Sequence, residues 1–136
     1  MKSKFLIPLF FLLLSACAES GTPERVAERF LSAYLDCRFS DAAKLASPEA
    51  VELLHWRASQ LTQAEVELMN EQAGARARAE RTEEHGEECV VWLSVTDALI
   101  LDSIGLPAHI GDVRYRVTLK HEKGHNWKVT ALIPNP

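Results

Sequence analysis

The sequence predicts an α+β domain in which N-terminal helices pack on a curved antiparallel sheet. Two observations carry this prediction. Between residues 22 and 72 the apolar residues recur at helical spacing, and between residues 76 and 131 they alternate with polar residues. The 136 residues are enough for a single core and contain no internal repeat, so we expect one folded domain.

The helical part begins at Thr22-Pro23-Glu24, because Thr caps a helix and Pro suits its first position. Ser40-Asp41 is expected to cap a short second helix. Ser47-Pro48-Glu49 begins a third helix, which runs on towards Gln72 with a restart or kink at Thr62. The apolar faces predicted for the first and third helices are Val26, Ala27, Phe30, Leu31, Tyr34 and Cys37, and Val51, Leu54, Ala58 and Leu61.

Alternation replaces helical spacing after Gly74. The predicted strands are residues 76–82, 88–96, 113–120 and 127–131, with residues 99–101 prolonging the second and residues 102–111 forming a loop. One side of these strands should face the helices. The residues expected on that side are Val91, Leu93, Val95, Val113, Tyr115, Val117, Leu119, Trp127 and Val129.

The start of the chain has the parts of a secretory signal. Lys2 and Lys4 precede an apolar run from Phe5 to Leu14, which is too short to span a bilayer and ends in Leu14-Ser15-Ala16-Cys17. This ending resembles the lipobox of bacterial lipoproteins. The resemblance implies cleavage before Cys17, a diacylglycerol on its thiol and an acyl chain such as palmitate on its amine. The alternative is an ordinary secretory signal with a cysteine at the cleavage site.

The lipobox divides the chain into three parts. Residues 1–16 are expected to be the signal peptide, residues 17–21 the lipidated cysteine and a short tether, and residues 22–136 the α+β domain. Two or three acyl chains would anchor the protein lastingly in a membrane. Ala18 resembles the outer-membrane default of Gram-negative sorting, so we expect a lipid-anchored protein of the bacterial cell envelope, at the outer membrane.

The domain itself resembles the nuclear transport factor two-like superfamily, a cystatin-like cone of helices packed into a curved sheet. The resemblance is to small bacterial lipoproteins of this fold, mostly uncharacterised. The residues that carry it are Pro23, Val26, Ala27, Phe30, Leu31, Ala33 and Tyr34, then Phe39, Asp41, Ala42, Ala43 and Leu45, and last Trp127-Lys128-Val129. Other relatives bind small molecules or act as isomerases and dehydratases, using a cavity between helices and sheet.

A pocket in that cavity is predicted to include Tyr34, His55, Tyr115 and Trp127. Acid–base chemistry needs a titratable group inside the cavity, and no carboxylate has an evident inward position. We therefore predict no catalytic residue and no cofactor, and expect a non-catalytic binding or interaction module. The alternative is a small cofactor-free enzyme of the isomerase or dehydratase kind, and the sequence does not decide between them.

Cys37 and Cys89 are the cysteines that remain once Cys17 is lipidated. The envelope is an oxidising compartment, which favours a disulfide between them. The two faces that carry them must meet if helix packs on sheet. The alternative is a pair of separately buried thiols that act as small apolar residues.

Residues 121–125 match the H-E-x-x-H pattern of zinc metalloproteases. His121, Glu122 and His125 occupy the three specified positions of the pattern. That chemistry requires a helix, which places both histidines on one face. Here the pattern joins two alternating strands and contains Gly124, which is typical of a hairpin turn. We therefore predict no metal site.

The charge of the chain restricts its partners. Loss of Lys2 and Lys4 with the signal takes the formal net charge from −4 to −6, which argues against a nucleic-acid partner. The expected partners are the membrane, through the lipid anchor, and either an envelope protein or a small apolar ligand. An inhibitor of a toxin also fits the size and charge, although no motif supports it.

Overall fold

The computed structural model describes residues 21–61, 63, 67, 74–100, 109–122 and 126–135. In this part of the chain three helices come first, followed by four strands. The helices are α1 (Pro23–Leu35), α2 (Phe39–Lys44) and α3 (Pro48–Gln60), and the strands are β1 (Arg76–His85), β2 (Glu88–Ile100), β3 (His109–Glu122) and β4 (Asn126–Pro134). The predicted signal, Cys17 and the tether up to residue 20 lie outside the described residues.

Two of the predicted helix starts are confirmed. Pro23 opens α1, and the Thr22 hydroxyl accepts a hydrogen bond from the Arg25 amide at 3.3 Å. Pro48 opens α3 after Ser47. The Ser47 hydroxyl is buried, and it has no hydrogen-bond partner within the described part of the chain. Ser47 therefore occupies a cap position without the capping hydrogen bond that usually favours serine there.

The predicted cap of the second helix was wrong. α2 begins at Phe39 after Arg38, whose side chain makes no capping hydrogen bond, so that Ser40 and Asp41 lie inside the helix. Arg38 instead pairs with Asp41 at 3.5 Å. α3 ends at Gln60 before an extended Leu61. Most of the predicted continuation towards Gln72 lies outside the described residues.

The four strands form one antiparallel sheet in the order β1-β2-β3-β4. Each neighbouring pair contains a register shift, between Ala79 and Arg81, between Val95 and Ala98, and between Thr118 and Leu119. Extra residues of this kind bend and twist a strand, which explains the curvature of the sheet. Its concave side receives the helices.

The shift in β2 also corrects the end of the predicted loop 102–111, of which residues 102–108 lie outside the described residues. Asp97 has φ 59°, a left-handed conformation, and pairing between β2 and β3 resumes beyond it. Ala98 pairs with Gly111 and Ile100 pairs with His109, so residues 109–111 belong to a strand. Resumed pairing gives these backbone groups hydrogen-bond partners, which is why the strand outlasts the bulge.

The core lies between α1 and the inward side of the sheet. Its largest fully buried side chains are Phe30, Leu31, Leu35, Leu93, Leu99, Leu119, Val91, Val95, Val117 and Val129. The predicted inward row of the central strands is thus confirmed. Along α3, however, Ala50, Leu54 and Arg57 are the buried residues. Of the predicted face, Leu54 is buried and Val51 and Leu61 are partly buried, but Ala58 was placed wrongly, because it is exposed.

Hydrogen bonds link the helical part of the chain to both edges of the sheet. The Glu28 carboxylate accepts a hydrogen bond from the Ala79 amide of β1 at 2.9 Å, and the Asp36 carboxylate accepts one from Ala75 at 2.7 Å. On the other edge Val129 donates to the Leu45 carbonyl at 2.8 Å. In the described part of the chain, no helix is both long and apolar enough to cross a membrane.

Candidate functional site

A pocket of about 290 Å³ opens where α1 and α3 meet the middle of β3 and the end of β4. Most of its wall is apolar or aromatic. The residues that line it are Tyr34, Leu53, Trp56, Arg57, Tyr115, Leu132 and Pro134. Its volume is at the lower end of the range of about 300–1,000 Å³ that is typical of small-molecule sites.

Tyr34 and Tyr115 of the predicted pocket do line this one. Tyr34 lies in the last turn of α1, and its ring stacks on Phe30 with centroids 5.9 Å apart. Tyr115 lies on β3 opposite Pro134 of β4. The inward side of the sheet therefore supplies one wall and the end of α1 another, as the alternation and the helical spacing predicted.

The other two predicted pocket residues do not line this pocket. His55 is exposed on α3. Trp127 pairs with His121 and stacks on its ring with centroids 4.2 Å apart. Because His121 is on the same strand as Tyr115 but further along it, the two lie about 20 Å apart at 3.4 Å per residue. Trp127 and Tyr115 therefore lie on the same, inward side of the sheet, but far apart along the strands.

Arg57 is the pocket residue that the sequence analysis missed. Only 3% of it is exposed. The buried residues Ala50, Leu54 and Arg57 are separated by four and then three residues, which is the pattern of a buried helical face. That spacing was the sequence signal for burial of Arg57. Its charge argued against burial, because arginine is rarely buried.

Three backbone carbonyls hold the guanidinium of Arg57. Nε donates to the Tyr34 oxygen at 3.0 Å, and Nη2 donates to the Leu35 oxygen at 3.2 Å and to the Leu99 oxygen at 2.8 Å. Two of these carbonyls belong to the last turn of α1, where the helix dipole favours a cation. One side chain thus joins α3, the end of α1 and the end of β2.

Among the described residues, no carboxylate forms an ion pair with Arg57. The ion pairs within the described residues join other groups, most of them exposed. Its guanidinium carbon lies 5.0 Å from the centroid of the Tyr34 ring, which adds a cation–π contact. The pocket is therefore an apolar cavity with a positive charge in its wall.

Trp56, the neighbour of Arg57, provides an accessible aromatic surface. It lines the pocket and is 50% exposed. Exposed tryptophan at the mouth of an apolar pocket is typical of a binding surface, because the ring offers a large contact area at a small entropic cost. The pocket therefore has features of a binding site.

The predicted disulfide is not formed, since Cys37 and Cys89 are both free thiols. Cys37 follows the C-terminal end of α1, whereas Glu24 at the start of that helix influences Cys89. Thirteen helical residues at 1.5 Å each separate these ends by about 20 Å, far beyond disulfide range. The packing of this helix on the sheet was predicted correctly. The prediction was wrong about the level along the helix at which Cys89 lies.

Burial controls the chemistry of both thiols. It raises the pKa of Cys89 to about 11, with smaller contributions from Glu84 and Glu24. Burial also raises the pKa of Cys37, although the positive charge of Arg57 opposes this. Since thiolates are the reactive form, neither cysteine has the depressed pKa of a nucleophile.

The H-E-x-x-H pattern does not lie on a helix where it is described. His121 and Glu122 belong to β3, and β4 begins at Asn126, with residues 123–125 outside the described part. The hairpin prediction is confirmed in these flanking strands. No cluster of three or more potential ligands for a metal occurs among the described residues.

No known protein family matches the chain. No curated protein matches it either.

Solved structures are similar in fold at low identity. A SEC-C motif containing protein from Rhodopseudomonas palustris has a TM-score of 0.52 and 16% identity, over 85% of this chain and 80% of that one. A de novo designed protein with a curved β-sheet has a TM-score of 0.49 and 12% identity, over 85% of this chain and 100% of that one.

A nuclear transport factor two-like protein involved in plasmid conjugation has a TM-score of 0.42 and 16% identity, over 82% of this chain and 47% of that one. Identities of this size concern the fold alone. The helices and the curved, open antiparallel sheet make the chain an α+β protein, in agreement with the class predicted from the sequence.

Proposed function

We propose that the protein is a lipid-anchored lipoprotein of the bacterial cell envelope, at the outer membrane, whose domain is a non-catalytic module that binds a small, largely apolar ligand. The anchor is supported by the sequence Leu14-Ser15-Ala16-Cys17 after a short apolar run. The binding role is supported by one observation above all. The pocket at the end of α1 has an apolar and aromatic wall with an accessible Trp56.

The same pocket argues against the alternative of an isomerase or dehydratase. Such chemistry needs a group that gains and loses a proton near neutral pH. The lining residues include two tyrosines and Arg57, but no carboxylate and no histidine among the described residues. Arginine stays protonated in proteins and cannot act as a general base. His55, which the sequence analysis placed in the pocket, is exposed and is not among the lining residues.

Fractionation of cells tests the anchor. Cys17→Ala should leave the membrane pellet or accumulate as uncleaved precursor, because the alanine cannot carry the lipid. Cys37→Ala is the matched control, since it also removes a thiol but leaves the lipobox intact. A Cys17→Ala protein that is processed normally and still held tightly by the membrane would contradict the anchor.

Fluorescence tests the pocket with a defined neutral probe, 1-naphthol. Trp56 lines the pocket whereas Trp92 and Trp127 do not. We expect 1-naphthol to change the tryptophan emission in a saturable way. The change should disappear in Trp56→Phe and persist in Trp92→Phe. No saturable change in the wild-type protein, or an equal loss in both variants, would contradict ligand binding at this site.

A further inference from the structure

We propose that the ligand of this pocket carries one carboxylate on its apolar body and that this carboxylate binds Arg57. The inference rests on the proposed ligand-binding role and specifies the chemical class of the ligand. It starts from a buried cation that borders a cavity. Arg57 lines the pocket, yet 97% of its surface is removed from water, since 3% is exposed.

The positive charge of Arg57 lacks a full counter-charge among the described residues. A buried guanidinium loses much of its hydration, and a buried charge is usually compensated by a partner of opposite charge. Carbonyl groups at the end of α1 and β2 supply hydrogen bonds and partial negative charge. They do not neutralise a full positive charge, and no carboxylate of the described residues pairs with Arg57.

The nitrogens of the Arg57 guanidinium differ in their hydrogen-bond partners. The hydrogen bonds to the carbonyls of Tyr34, Leu35 and Leu99 use Nε and Nη2. Within the described residues, Nη1 donates to no carbonyl. A side-chain hydrogen bond also joins the guanidinium to Cys37. The guanidinium has five N–H groups, of which the three carbonyls and Cys37 use four. A ligand carboxylate that accepts from the remaining N–H group would complete the set of hydrogen bonds and supply the missing negative charge.

The other walls of the pocket restrict the body of the ligand. Leu53, Leu132 and Pro134 contribute apolar surface, and the tyrosine and tryptophan rings contribute flat aromatic surface. These walls favour an aliphatic or aromatic body and would exclude a heavily hydroxylated one, whose polar groups would lose hydrogen bonds to water. The volume of about 290 Å³ suits a body of one or two rings. A short aromatic carboxylic acid meets all these conditions.

The test compares two probes of the same shape and different charge on the full, wild-type protein. 3-Phenylpropionate carries the carboxylate, and 3-phenylpropanamide is its neutral analogue. We expect the carboxylate to bind about tenfold or more tightly in titrations of tryptophan fluorescence, because a hydrogen bond to a buried charge is stronger than a neutral one. The carboxylate should also slow alkylation of Cys37, next to Arg57, more than the amide does.

Two variants then locate the effect. Arg57→Gln should remove the preference for the carboxylate, whereas Arg81→Gln, on the opposite side of the sheet, should retain it. If Arg57→Gln does not fold, the comparison of the two probes on the wild-type protein still tests whether the pocket prefers a carboxylate. Equal affinity for both probes, or tighter binding of the amide, would overturn the carboxylate while leaving the pocket as a binding site. If 1-naphthol and both probes fail to bind, the proposed function fails as well.

Discussion

Arg57 contacts Tyr34 in two ways. Its guanidinium carbon lies 5.0 Å from the centroid of the Tyr34 ring, and its Nε donates a hydrogen bond to the carbonyl oxygen of the same residue at 3.0 Å. A single side chain of α3 thus holds both the ring and the backbone at the end of α1. Because both residues line the pocket, the packing of the helices and the shape of the pocket depend on the same contact.

Replacement of Arg57 by methionine should destabilise the domain by about 3 kcal/mol or more, because buried carbonyls lose their donors. Arg57→Lys should have an intermediate effect, since an ammonium keeps the charge but lacks the planar fork. Unfolding in urea measures both. Arg114→Met is the control, because Arg114 is exposed and pairs with Glu80 only at 4.0 Å.

For Arg114→Met we expect a change within about 0.5 kcal/mol. A loss of similar size in Arg57→Met and Arg114→Met would show that the hydrogen bonds of Arg57 contribute little to the stability of the fold.

The two helix caps should respond differently to alanine. The Thr22 hydroxyl accepts the Arg25 amide, so Thr22→Ala should cost about 0.5–2 kcal/mol of unfolding free energy. Ser47→Ala should cost less, or should stabilise the domain, because it removes a buried hydroxyl without a partner among the described residues. Thermal and urea unfolding of the two variants give the comparison. A larger loss in Ser47→Ala than in Thr22→Ala would contradict the observed capping geometry.

Stability should fall in alkaline solution because of Cys89. Burial raises its pKa from 9.0 to about 11, so the folded protein keeps the thiol proton after the unfolded chain has lost it. Unfolding between these pH values therefore releases a proton, and the free energy of unfolding decreases as the pH rises. The contribution is full below pH 9 and is lost by about pH 11, a change on the order of 2–3 kcal/mol.

Urea unfolding of the wild-type protein and of Cys89→Ala across this pH range measures the effect. The variant lacks the thiol, so its stability should fall less steeply although its stability at pH 7 is lower. Parallel pH profiles for the two proteins would rule out the raised pKa of Cys89 as the cause.

Reduction should leave the melting temperature of the protein unchanged, because Cys37 and Cys89 are free thiols. After unfolding without reductant, both should react with iodoacetamide, which mass spectrometry would detect. In the folded protein both should react slowly, since burial raises the pKa of each. A melting temperature that falls with dithiothreitol, together with no alkylation in the unfolded and unreduced chain, would instead indicate a disulfide.

The sequence predicted the elements well where local rules act strongly. Thr22 and Pro23 set the start of α1, and Pro48 sets the start of α3, because their backbone preferences are local. Alternation placed Val91, Leu93 and Val117 inward, since successive side chains of a strand point to opposite sides. The bulge at Asp97 carried no such local signal, and beyond it residues 109–111, the last three of the predicted loop, form the start of β3.

By itself the sequence determined the class of fold, the inward side of each central strand and the place of Tyr34 and Tyr115 in the pocket. Periodicity says which side of an element is buried, and that information is local. Only the tertiary structure decided which ends of the elements meet. It separated Cys37 from Cys89, placed Trp127 away from the pocket and brought Arg57 to the carbonyls of Tyr34 and Leu99. The position of a residue along its helix or strand depends on long-range packing, which periodicity does not encode.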